Sequence, residues 1–294
     1  MATSNPPTPA EIEAIWRTYD AIEARLTAPV SERMVALARL ATGQRVLDLA
    51  SGRGEPALAA AKRVGPSGRV VGVEIDPRMV AMARERAQRE AVANLELMVG
   101  DAQQQDGIAP RSFDAALCRF ALMYMSDPVA ALVATRRALV DDGRLVVALW
   151  AEPERVDYVS LPRGVLARQV ELPPIDRAAP GPFRFADRTV IERDLAAAGF
   201  ALERIEEQVV PVMEAASDAE LIAWTRHFGM DRLLAPLAPA VKERWERELI
   251  AACAPLRRDG FVRLGGTTRL VVARPRPDAL NRAAAPSPPP RRDR

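Results

Sequence analysis

Three carboxylic acids occur at nearly equal intervals, each where a short apolar run of the sequence ends. They are Asp48 in VLDLASGRGEP, Glu74 in VVGVEI and Asp101 in VGDAQ. Two glycines, Gly52 and Gly54, come soon after the first of these runs. Glycines let a backbone approach a ligand closely, and an acid at the end of the following strand can accept both hydroxyl protons of a ribose. The residue types and their spacing therefore predict a nucleotide-binding turn.

The glycine spacing alone leaves the choice of nucleotide open. Gly52, Gly54 and Ala57 satisfy the pattern G-x-G-x-x-A, which fits a nicotinamide dinucleotide as readily as other nucleotides. A carboxylate at Asp48 would repel a pyrophosphate but would attract a cationic ligand. S-adenosylmethionine carries an ammonium, a sulfonium, a ribose diol and an adenine amino group that donates hydrogen bonds. The three acids together therefore favour S-adenosylmethionine as the cofactor.

Short apolar runs alternate with helix-like segments through the first two thirds of the chain. Such alternation indicates a parallel sheet that is covered by helices on both faces. Two further strands are predicted at 201–213 and 267–275. We therefore predict an α/β fold, a doubly wound, Rossmann-like, seven-stranded and mostly parallel sheet with helical lid or cap insertions. The five apolar runs span 45–50, 69–75, 95–100, 113–120 and 143–150, and the helix-like segments span 55–64, 77–91, 128–139 and 187–198.

The chain divides into four parts by composition and periodicity. Both ends are proline-rich without apolar periodicity, which predicts disorder. Two leading helices, the second from about Ser31 to Leu40, precede the first strand. The proline-rich stretch 151–186 predicts a long loop or a partly helical cover. Together with the later helical segment, it is expected to cover a substrate-binding cavity. The predicted parts are a disordered N-terminus (1–8), a cofactor-binding core with the leading helices (9–150), the remainder of the sheet with the substrate lid (151–275) and a disordered tail (276–294).

Charge and cysteine content set limits on the partners. The 41 basic and 39 acidic residues leave a formal charge of +2, with both signs spread along the chain, so we expect no nucleic-acid partner. Cys118 and Cys253 cannot build a disulfide framework and have no metal-ligand spacing, which favours a reducing cytoplasm and no metal. The sequence has no signal-peptide pattern and no uncharged apolar run long enough to span a membrane. We expect a cytoplasmic monomer or homodimer that acts on a small molecule.

The sequence resembles the class I S-adenosylmethionine-dependent methyltransferases, most closely the branch that includes the ubiquinone and menaquinone biosynthesis methyltransferases. The resemblance extends from about Trp16 to Trp150 and more loosely to Pro275. Any one of its motifs is weak, and the set is specific. The motifs are VLDLASGRGE, VVGVEIDPRMVAMAR, VGDAQ, FDAALCRFALMYMSDPVAAL and ALVDDGRLVVALW.

The resemblance implies roles for the turn after the first strand. Ala50, Gly52 and Gly54 would surround the methionine part of the cofactor, with Arg53 at the variable position. Ala50 stands where many relatives have the first glycine. We expect its backbone to avoid a conformation reserved for glycine, because a side chain is present.

The resemblance also implies roles at the ends of the next strands. Glu74 would bind the ribose hydroxyls, and Ile75 would also contact the cofactor. Asp101 would accept from the adenine amino group, and the Ala102 backbone would face a ring nitrogen. Arg119 would line the methyl-transfer side, although pairing with a structural acid explains it equally well. Tyr19 would close over the methionine end, although a place in the helix core explains it equally well.

Methyl transfer from a sulfonium needs a base only if the acceptor must lose a proton. The single histidine, His227, lies in the predicted lid and titrates near neutrality, so it is the candidate general base, although a lone histidine is more often structural. Weaker candidates are Tyr124, Tyr158 and Asp127. The apolar residues Trp224, Phe228, Met230 and Met123 suit either an acceptor surface or packing of the lid.

The predicted function is methyl transfer from S-adenosylmethionine to an oxygen or carbon atom of a small, apolar or aromatic metabolite. One alternative is a nicotinamide-dependent oxidoreductase, suggested by the glycine pattern but opposed by Asp48, Asp101 and the lack of an obvious Tyr-x-x-x-Lys motif. Another is a non-catalytic cofactor-binding protein of the same fold, because a fold does not determine a function.

Overall fold

The computed structural model describes residues 9–277, except the side chains of residues 9–16 and 18. Its centre is a seven-stranded sheet in the order β3-β2-β1-β4-β5-β7-β6. The first five strands run parallel, and β7 is antiparallel to both β5 and β6. The sheet is therefore mostly parallel, as predicted. The strands are β1 (Arg45–Leu49), β2 (Arg69–Glu74), β3 (Leu95–Val99), β4 (Phe113–Arg119), β5 (Leu139–Trp150), β6 (Phe200–Ala215) and β7 (Val262–Pro275).

Nine α-helices of the described residues pack around this sheet. Several begin with a capping acid: Asp76 accepts a hydrogen bond from Arg78 N, and Asp127 accepts one from Ala130 N. Such caps satisfy backbone donors that have no partner inside a helix. The helices are α1 (Pro9–Leu37), α2 (Ala57–Val64), α3 (Pro77–Arg89), α4 (Pro128–Ala138), α5 (Asp157–Ala167), α6 (Arg188–Ala197), α7 (Asp218–Thr225), α8 (Asp231–Leu234) and α9 (Pro239–Cys253).

The prediction of two leading helices is wrong, because residues 9–37 form one helix that continues through Pro29. A proline inside a helix removes one hydrogen bond and costs about 3 kcal/mol. Burial of Leu26, Val30 and Met34 in the core, on both sides of Pro29, offsets this cost. Arg25 pairs with Glu214 at 2.7 Å and Arg33 with Glu206 at 2.6 Å, so β6 holds both halves of the helix.

The stretch predicted as a loop or partly helical cover contains one helix, α5, followed by irregular chain. Phe183 and Phe185 in the irregular part are almost fully buried. They belong to the same hydrophobic core as β1, β4 and β5. The lid segments and the cofactor-binding core therefore share one core rather than forming separate units.

The carboxyl ends of β1, β2, β3 and β4 lie side by side at one edge of the sheet, because these strands are parallel neighbours. This arrangement brings Asp48, Glu74, Asp101 and Arg119 to the same edge. The predicted disordered ends, 1–8 and 276–294, lie outside the described range except for residues 276 and 277, of which Arg276 N donates to Gly199 O at 2.8 Å. Within that range no helix has the length and apolar character needed to cross a membrane.

Candidate active site

The turn between β1 and α2 has three residues in the left-handed backbone region. Gly52 has φ +50° and Gly54 has φ +98°. Ala50 has φ +51°, so the expectation that it avoids the region favoured by glycine is wrong. An L-residue can adopt the left-handed α region at a cost of about 1–2 kcal/mol. This cost arises from steric contacts of the Cβ atom, and alanine has no side-chain atoms beyond Cβ.

The carboxylate of Glu74 is held in place by two backbone donors. Gly52 N donates to Oε2 at 2.9 Å, and Asp76 N donates to Oε1 at 2.9 Å. The residue is only 6% exposed, yet it lines a cavity. A carboxylate has about four lone-pair positions, so each oxygen keeps one for a ligand. Two adjacent hydroxyl groups are the ligand that such a pair of oxygens suits.

Asp101 lies at the same cavity, after the end of β3. Its Oδ1 accepts from Gln103 N at 2.8 Å, and Gln103 Nε2 donates to Oδ1 at 3.1 Å. Ile75, 66% exposed, and the buried Ala102 also line the cavity. A carboxylate beside exposed apolar surface can accept from the amino group of a flat base and offer the base a face to lie on.

The cavity has a volume of about 720 Å³ and lies between the turn, the strand ends and helix α1. This volume is in the usual range of small-molecule and cofactor sites. Of the sequence-predicted residues, the structure brings most of the cofactor set to its wall. These are Ala50, Gly52, Arg53, Glu74, Ile75, Asp101, Ala102 and Arg119.

Arg53 connects the turn to helix α1. Its Nε donates to Asp20 Oδ1 at 2.6 Å and its Nη2 to Glu23 Oε2 at 2.5 Å. The Arg53 side chain is 12% exposed, and the two carboxylate side chains are about one-fifth exposed. These ion pairs hold α1 across one side of the cavity, because Asp20 and Glu23 also line it.

Arg119 presents a positive charge to the cavity wall. Its Nη1 donates to Thr27 Oγ1 at 2.7 Å and to Ser31 Oγ at 3.2 Å, both on α1. Burial lowers the pKa of Arg119, and the charges of Glu55 and Glu23 partly oppose this. Among residues 9–277 no carboxylate forms an ion pair with Arg119, so the structural-acid interpretation has no partner there.

Asp48 lies behind the turn rather than at the cavity wall. It is fully buried, and its Oδ2 accepts from Ala57 N at 3.0 Å, at the start of α2. Its Oδ1 is buried without a hydrogen-bond partner in the described part of the chain. Burial raises the pKa of Asp48 well above its usual value, and Arg119 opposes this shift only in part. A protonated Asp48 offers little attraction to a cationic ligand.

Tyr19 packs against the lid instead of lining the cavity. Its ring centroid is 4.0 Å from that of Trp224 on α7. Trp224 in turn stacks on Phe228 at 5.0 Å, with the rings 13° from parallel. The sequence is compatible with two roles for Trp224 and Phe228, packing of the lid or an acceptor surface. Trp224 is fully buried in the packing, whereas Phe228 reaches the cavity wall.

His227 lies next to Phe228 in a turn of π-helix but does not itself line the cavity. Its ring meets that of Phe228 edge to face at 5.3 Å. Burial lowers the pKa of His227, and the charge of Asp231 partly opposes this. The imidazole is therefore biased toward its neutral form, which can accept a proton.

Sequence reasoning missed several cavity residues, among them Asp20, Glu23 and Glu55. Asp20 and Glu23 belong to α1, and no local motif links that helix to the turn. One signal was present in the sequence, because Tyr19 and Glu23 are one helical turn apart and so share a face. Glu55, directly after Gly54, pairs with Arg86 at 2.7 Å and joins the turn to α3.

The residues at the cavity fit S-adenosylmethionine. Glu74 has free acceptor positions for a diol, and Asp101 Oδ2, which accepts from Gln103 Nε2 at 3.2 Å, keeps a second lone pair for another donor. A Cβ placed on Gly52 would meet nothing within 4 Å, so the space above the turn is open and a side chain there would begin to fill it. Within residues 9–277 no cluster of three or more His, Cys, Asp or Glu residues is arranged to hold a metal ion.

Comparison with known proteins agrees with this geometry. Residues 40–166 match the family model described as "Methyltransferase domain". This segment of the chain is therefore similar to methyltransferase domains. It includes the turn, Glu74, Asp101 and Arg119, so the family match and the cavity lie in the same part of the chain.

Two curated relatives are similar to part of the chain. Aklanonic acid methyltransferase DauC of Streptomyces sp. is 36% identical over 128 residues, which cover 44% of this chain and 58% of the relative. The ubiquinone/menaquinone biosynthesis C-methyltransferase UbiE of Pseudomonas fluorescens is 33% identical over 120 residues, which cover 40% of this chain and 46% of the relative. The chain thus spans about half the length of the curated relatives it matches.

Solved structures share the fold. The YcgJ protein of Bacillus subtilis has a TM-score of 0.56 at 20% identity, over 84% of this chain and 97% of that one. The [4+2]-cyclase SpnF has a TM-score of 0.53 at 16% identity, over 92% of this chain and 97% of that one. Because these two bear different names on one fold, the fold alone does not determine the reaction.

Proposed function

We propose that this chain transfers a methyl group from S-adenosylmethionine to an oxygen or carbon atom of a small, apolar or aromatic molecule. The observation that carries the proposal is the position of Glu74. Its carboxylate is fixed by Gly52 N and Asp76 N, and the residue lines a cavity of about 720 Å³. The family match over residues 40–166 supports the same class of reaction.

The cofactor, when bound, supplies an electrophilic methyl group on a sulfonium. The task of the protein is then to align the acceptor with that methyl group in a site that excludes water. In the proposed arrangement Glu74 holds the ribose, Asp101 accepts from the adenine amino group, and the turn from Ala50 to Gly54 surrounds the methionine part. Helix α1, held by Arg53, covers this end of the site.

Part of the cavity wall consists of aromatic rings and a thioether, and we assign the acceptor to this part. Its residues are Phe120, Tyr124, Met125 and Phe228. Rings and thioethers gain dispersion energy against flat apolar ligands and make no demand for hydrogen bonds from them. This composition supports an apolar or aromatic acceptor over a sugar or a peptide.

His227 is the proposed general base for an acceptor that must lose a proton. It is adjacent in sequence to Phe228 of the cavity wall, and the lowered pKa keeps the imidazole neutral at physiological pH. Tyr124 and Tyr158 are poorer bases near neutrality, because burial raises the pKa of both hydroxyl groups.

Calorimetry tests the proposed cofactor without knowledge of the acceptor. S-adenosylhomocysteine is expected to bind the wild-type protein, whereas NADH is not. Glu74→Ala is expected to weaken binding about 100-fold, since it removes two hydrogen bonds to a charged group. Glu96→Ala is the matched control, because Glu96 is a half-exposed acid on β3 that pairs with Arg69 away from the cavity. No binding of S-adenosylhomocysteine, or tight binding of NADH, would refute the proposal.

Transfer of radiolabelled methyl groups tests the acceptor class. The protein and labelled S-adenosylmethionine are incubated with a panel of phenols, hydroxyquinones, aromatic carboxylic acids, sugars and peptides. Label is expected only in aromatic members of the panel. Label in sugars or peptides with none in the aromatic compounds would contradict the proposed acceptor class while leaving the cofactor assignment intact.

A further inference from the structure

Gln103 connects two segments of the cavity wall through one amide group. Its Nε2 donates to Oδ1 of Asp101 at 3.1 Å and to Oδ2 at 3.2 Å. Its Oε1 accepts from Ser126 Oγ at 2.8 Å and from Asp127 N at 2.7 Å. A backbone N–H can only donate, so the amide oxygen faces Asp127 and the NH2 group faces Asp101.

The contacts with Gln103 fix the plane of the Asp101 carboxylate. The last torsion of an aspartate side chain is soft, so a single hydrogen bond leaves the carboxylate able to rotate. Gln103 supplies three hydrogen bonds, because its backbone N also donates to Oδ1, at 2.8 Å. Rotation about that torsion would lengthen the contact to one oxygen or the other. Gln103 therefore holds the Asp101 carboxylate in one orientation.

These contacts leave one oxygen of Asp101 with an open acceptor position. Each carboxylate oxygen has about two lone-pair positions. Among the described residues, Oδ1 accepts two hydrogen bonds and Oδ2 accepts one. The open position therefore belongs to Oδ2, and Asp101 and Gln103 both line the cavity.

The backbone that carries Asp101 is held by a different residue, Gln105. The N–H of Gln105 donates to Asp101 O at 2.9 Å. Its buried side-chain Nε2 donates to Ala102 O at 3.0 Å and to Thr135 Oγ1, on α4, at 2.9 Å. These contacts fasten the loop to α4 without the Gln103 amide. The Gln105 amide therefore positions the loop, and the Gln103 amide positions the Asp101 side chain.

The segment that holds the other end of the Gln103 amide is itself anchored. Asp127 is the N-cap of α4, and its side chain accepts a backbone hydrogen bond from the first turn. Shortly before it, Met125 O accepts from Arg184 Nη1 at 2.6 Å. A side chain orients its neighbour precisely only when its own position is fixed. The start of α4 is therefore the support from which Gln103 orients Asp101.

We propose that Gln103 is a positioning residue, which orients Asp101 toward the 6-amino group of the cofactor and so selects adenine over a 6-oxopurine. The inference rests on the proposed function, which assigns the adenine amino group to Asp101. An amino group donates to the open position on Oδ2, whereas an oxo group brings only lone pairs and is repelled by a carboxylate. This discrimination depends on direction, because hydrogen bonds weaken steeply when they are misaligned.

Two ligands that differ at one position of the purine test the inference. S-adenosylhomocysteine carries the 6-amino group, and S-inosylhomocysteine carries an oxygen in its place. Calorimetry measures both affinities, and the wild-type protein is expected to prefer S-adenosylhomocysteine. The ratio of the two affinities is expected to fall about 3- to 10-fold in Gln103→Glu, the range of one hydrogen bond. This variant keeps an acceptor for Ser126 and Asp127 and removes the donor to Asp101.

Two further variants separate positioning from folding and from charge. A merely structural role of Gln103 would weaken both ligands alike and leave the ratio unchanged. Gln103→Met removes the amide without adding charge and is expected to lower the ratio as well, so it serves where Gln103→Glu does not fold. Gln104→Glu adds the same charge to an exposed neighbour and is expected to keep the wild-type ratio. A wild-type ratio in the folded Gln103 variants, or an equal fall in Gln104→Glu, would overturn the inference.

Asp101→Asn distinguishes failure of the inference from failure of the proposed function. An asparagine amide can donate to an oxo group, so the ratio is expected to fall further than in Gln103→Glu. A fall in Asp101→Asn with a wild-type ratio in both Gln103 variants would keep the adenine contact and reject the role of Gln103. A wild-type protein that binds neither ligand, or binds both equally, would refute the proposed cofactor contact and the inference with it.

Discussion

The backbone N–H of Gly52 donates a hydrogen bond to Oε2 of Glu74 at 2.9 Å, across the carboxyl ends of β1 and β2. The glycine turn and Glu74, the acid proposed to bind the ribose, are therefore one unit rather than two separate contacts. A change in the backbone at Gly52 moves the donor that orients Glu74. The conformations of Ala50 and Gly52 thus bear directly on cofactor binding.

Substitutions in the turn are expected to differ sharply in effect. Gly52→Val places a β-branched side chain at φ +50° and directs its Cβ into open cavity space, so binding of S-adenosylhomocysteine should be lost. Ala50→Gly relieves about 1 kcal/mol of left-handed strain and adds a similar entropy to the unfolded chain, so stability should change by less than about 1 kcal/mol. Calorimetry and thermal unfolding measure the two effects. Comparable affinities of the two variants would mean that the turn does not contact the cofactor.

The strand ends of the site were predictable from sequence because they depend on local pattern. Short apolar runs alternating with helical periodicity specify a parallel sheet, and parallel strands bring their carboxyl ends to one edge. Glu74 and Asp101 were therefore placed correctly at a common edge. The side-chain direction of Asp48 was not predictable, because β1 lies between β2 and β4 and its surroundings on both faces come from distant parts of the chain.

Helix α1 illustrates the limit of local propensity. Pro29 and the short polar stretch around it favour two helices, and no local signal offsets that preference. Burial of Leu26, Val30 and Met34 in the core does so, and the ion pairs of Arg25 and Arg33 with β6 add contacts across 189 and 173 residues of sequence. The role of Arg53 was hidden for the same reason, since its partners Asp20 and Glu23 become neighbours only when the whole helix packs over the turn.

Loss of the Arg53 ion pairs is expected to loosen α1 over the cofactor. Arg53→Gln leaves Asp20 and Glu23 close together without their shared cation, and the free energy of unfolding should fall by about 2 kcal/mol. Dissociation of S-adenosylhomocysteine, measured by stopped flow, should be faster. Arg17→Gln is the control on the same helix, because Arg17 and Glu85 are both about half exposed and such pairs contribute less than about 1 kcal/mol. Equal effects of the two variants would exclude a clamping role for Arg53.

Asp48→Asn is expected to stabilise the protein increasingly as pH rises. Burial raises the pKa of Asp48 in the folded state. Its carboxyl group therefore contributes fully to folding stability below the unfolded pKa of about 4, and this contribution is lost as pH rises toward the folded pKa. Asparagine keeps the acceptor for Ala57 N and removes the titration. Urea unfolding at pH 5 and pH 8 measures the difference between variant and wild type.

Asp114→Asn provides the comparison for Asp48→Asn. Asp114 also accepts one backbone N–H, from Arg45 at 2.7 Å, but this hydrogen bond lies at the protein surface. It is therefore the surface control for the same chemical substitution. A constant or falling difference between Asp48→Asn and wild type from pH 5 to pH 8 would mean that Asp48 is ionised in the folded protein.

His227 should make stability fall as the solution is acidified. Burial lowers the pKa of His227 in the folded state, so the folded protein favours the neutral imidazole. The resulting contribution to folding stability is present above the unfolded pKa of about 6.5. This stability is lost as pH falls below about 6.5 toward the folded pKa, because the unfolded chain binds the proton more readily. His227→Gln removes this titration while keeping a polar side chain of similar size, so the drop in thermal midpoint between pH 7.5 and pH 5.5 should be smaller in the variant. An equal drop in both proteins would place the imidazole in water, and would remove the desolvated environment on which its proposed role as a neutral base depends.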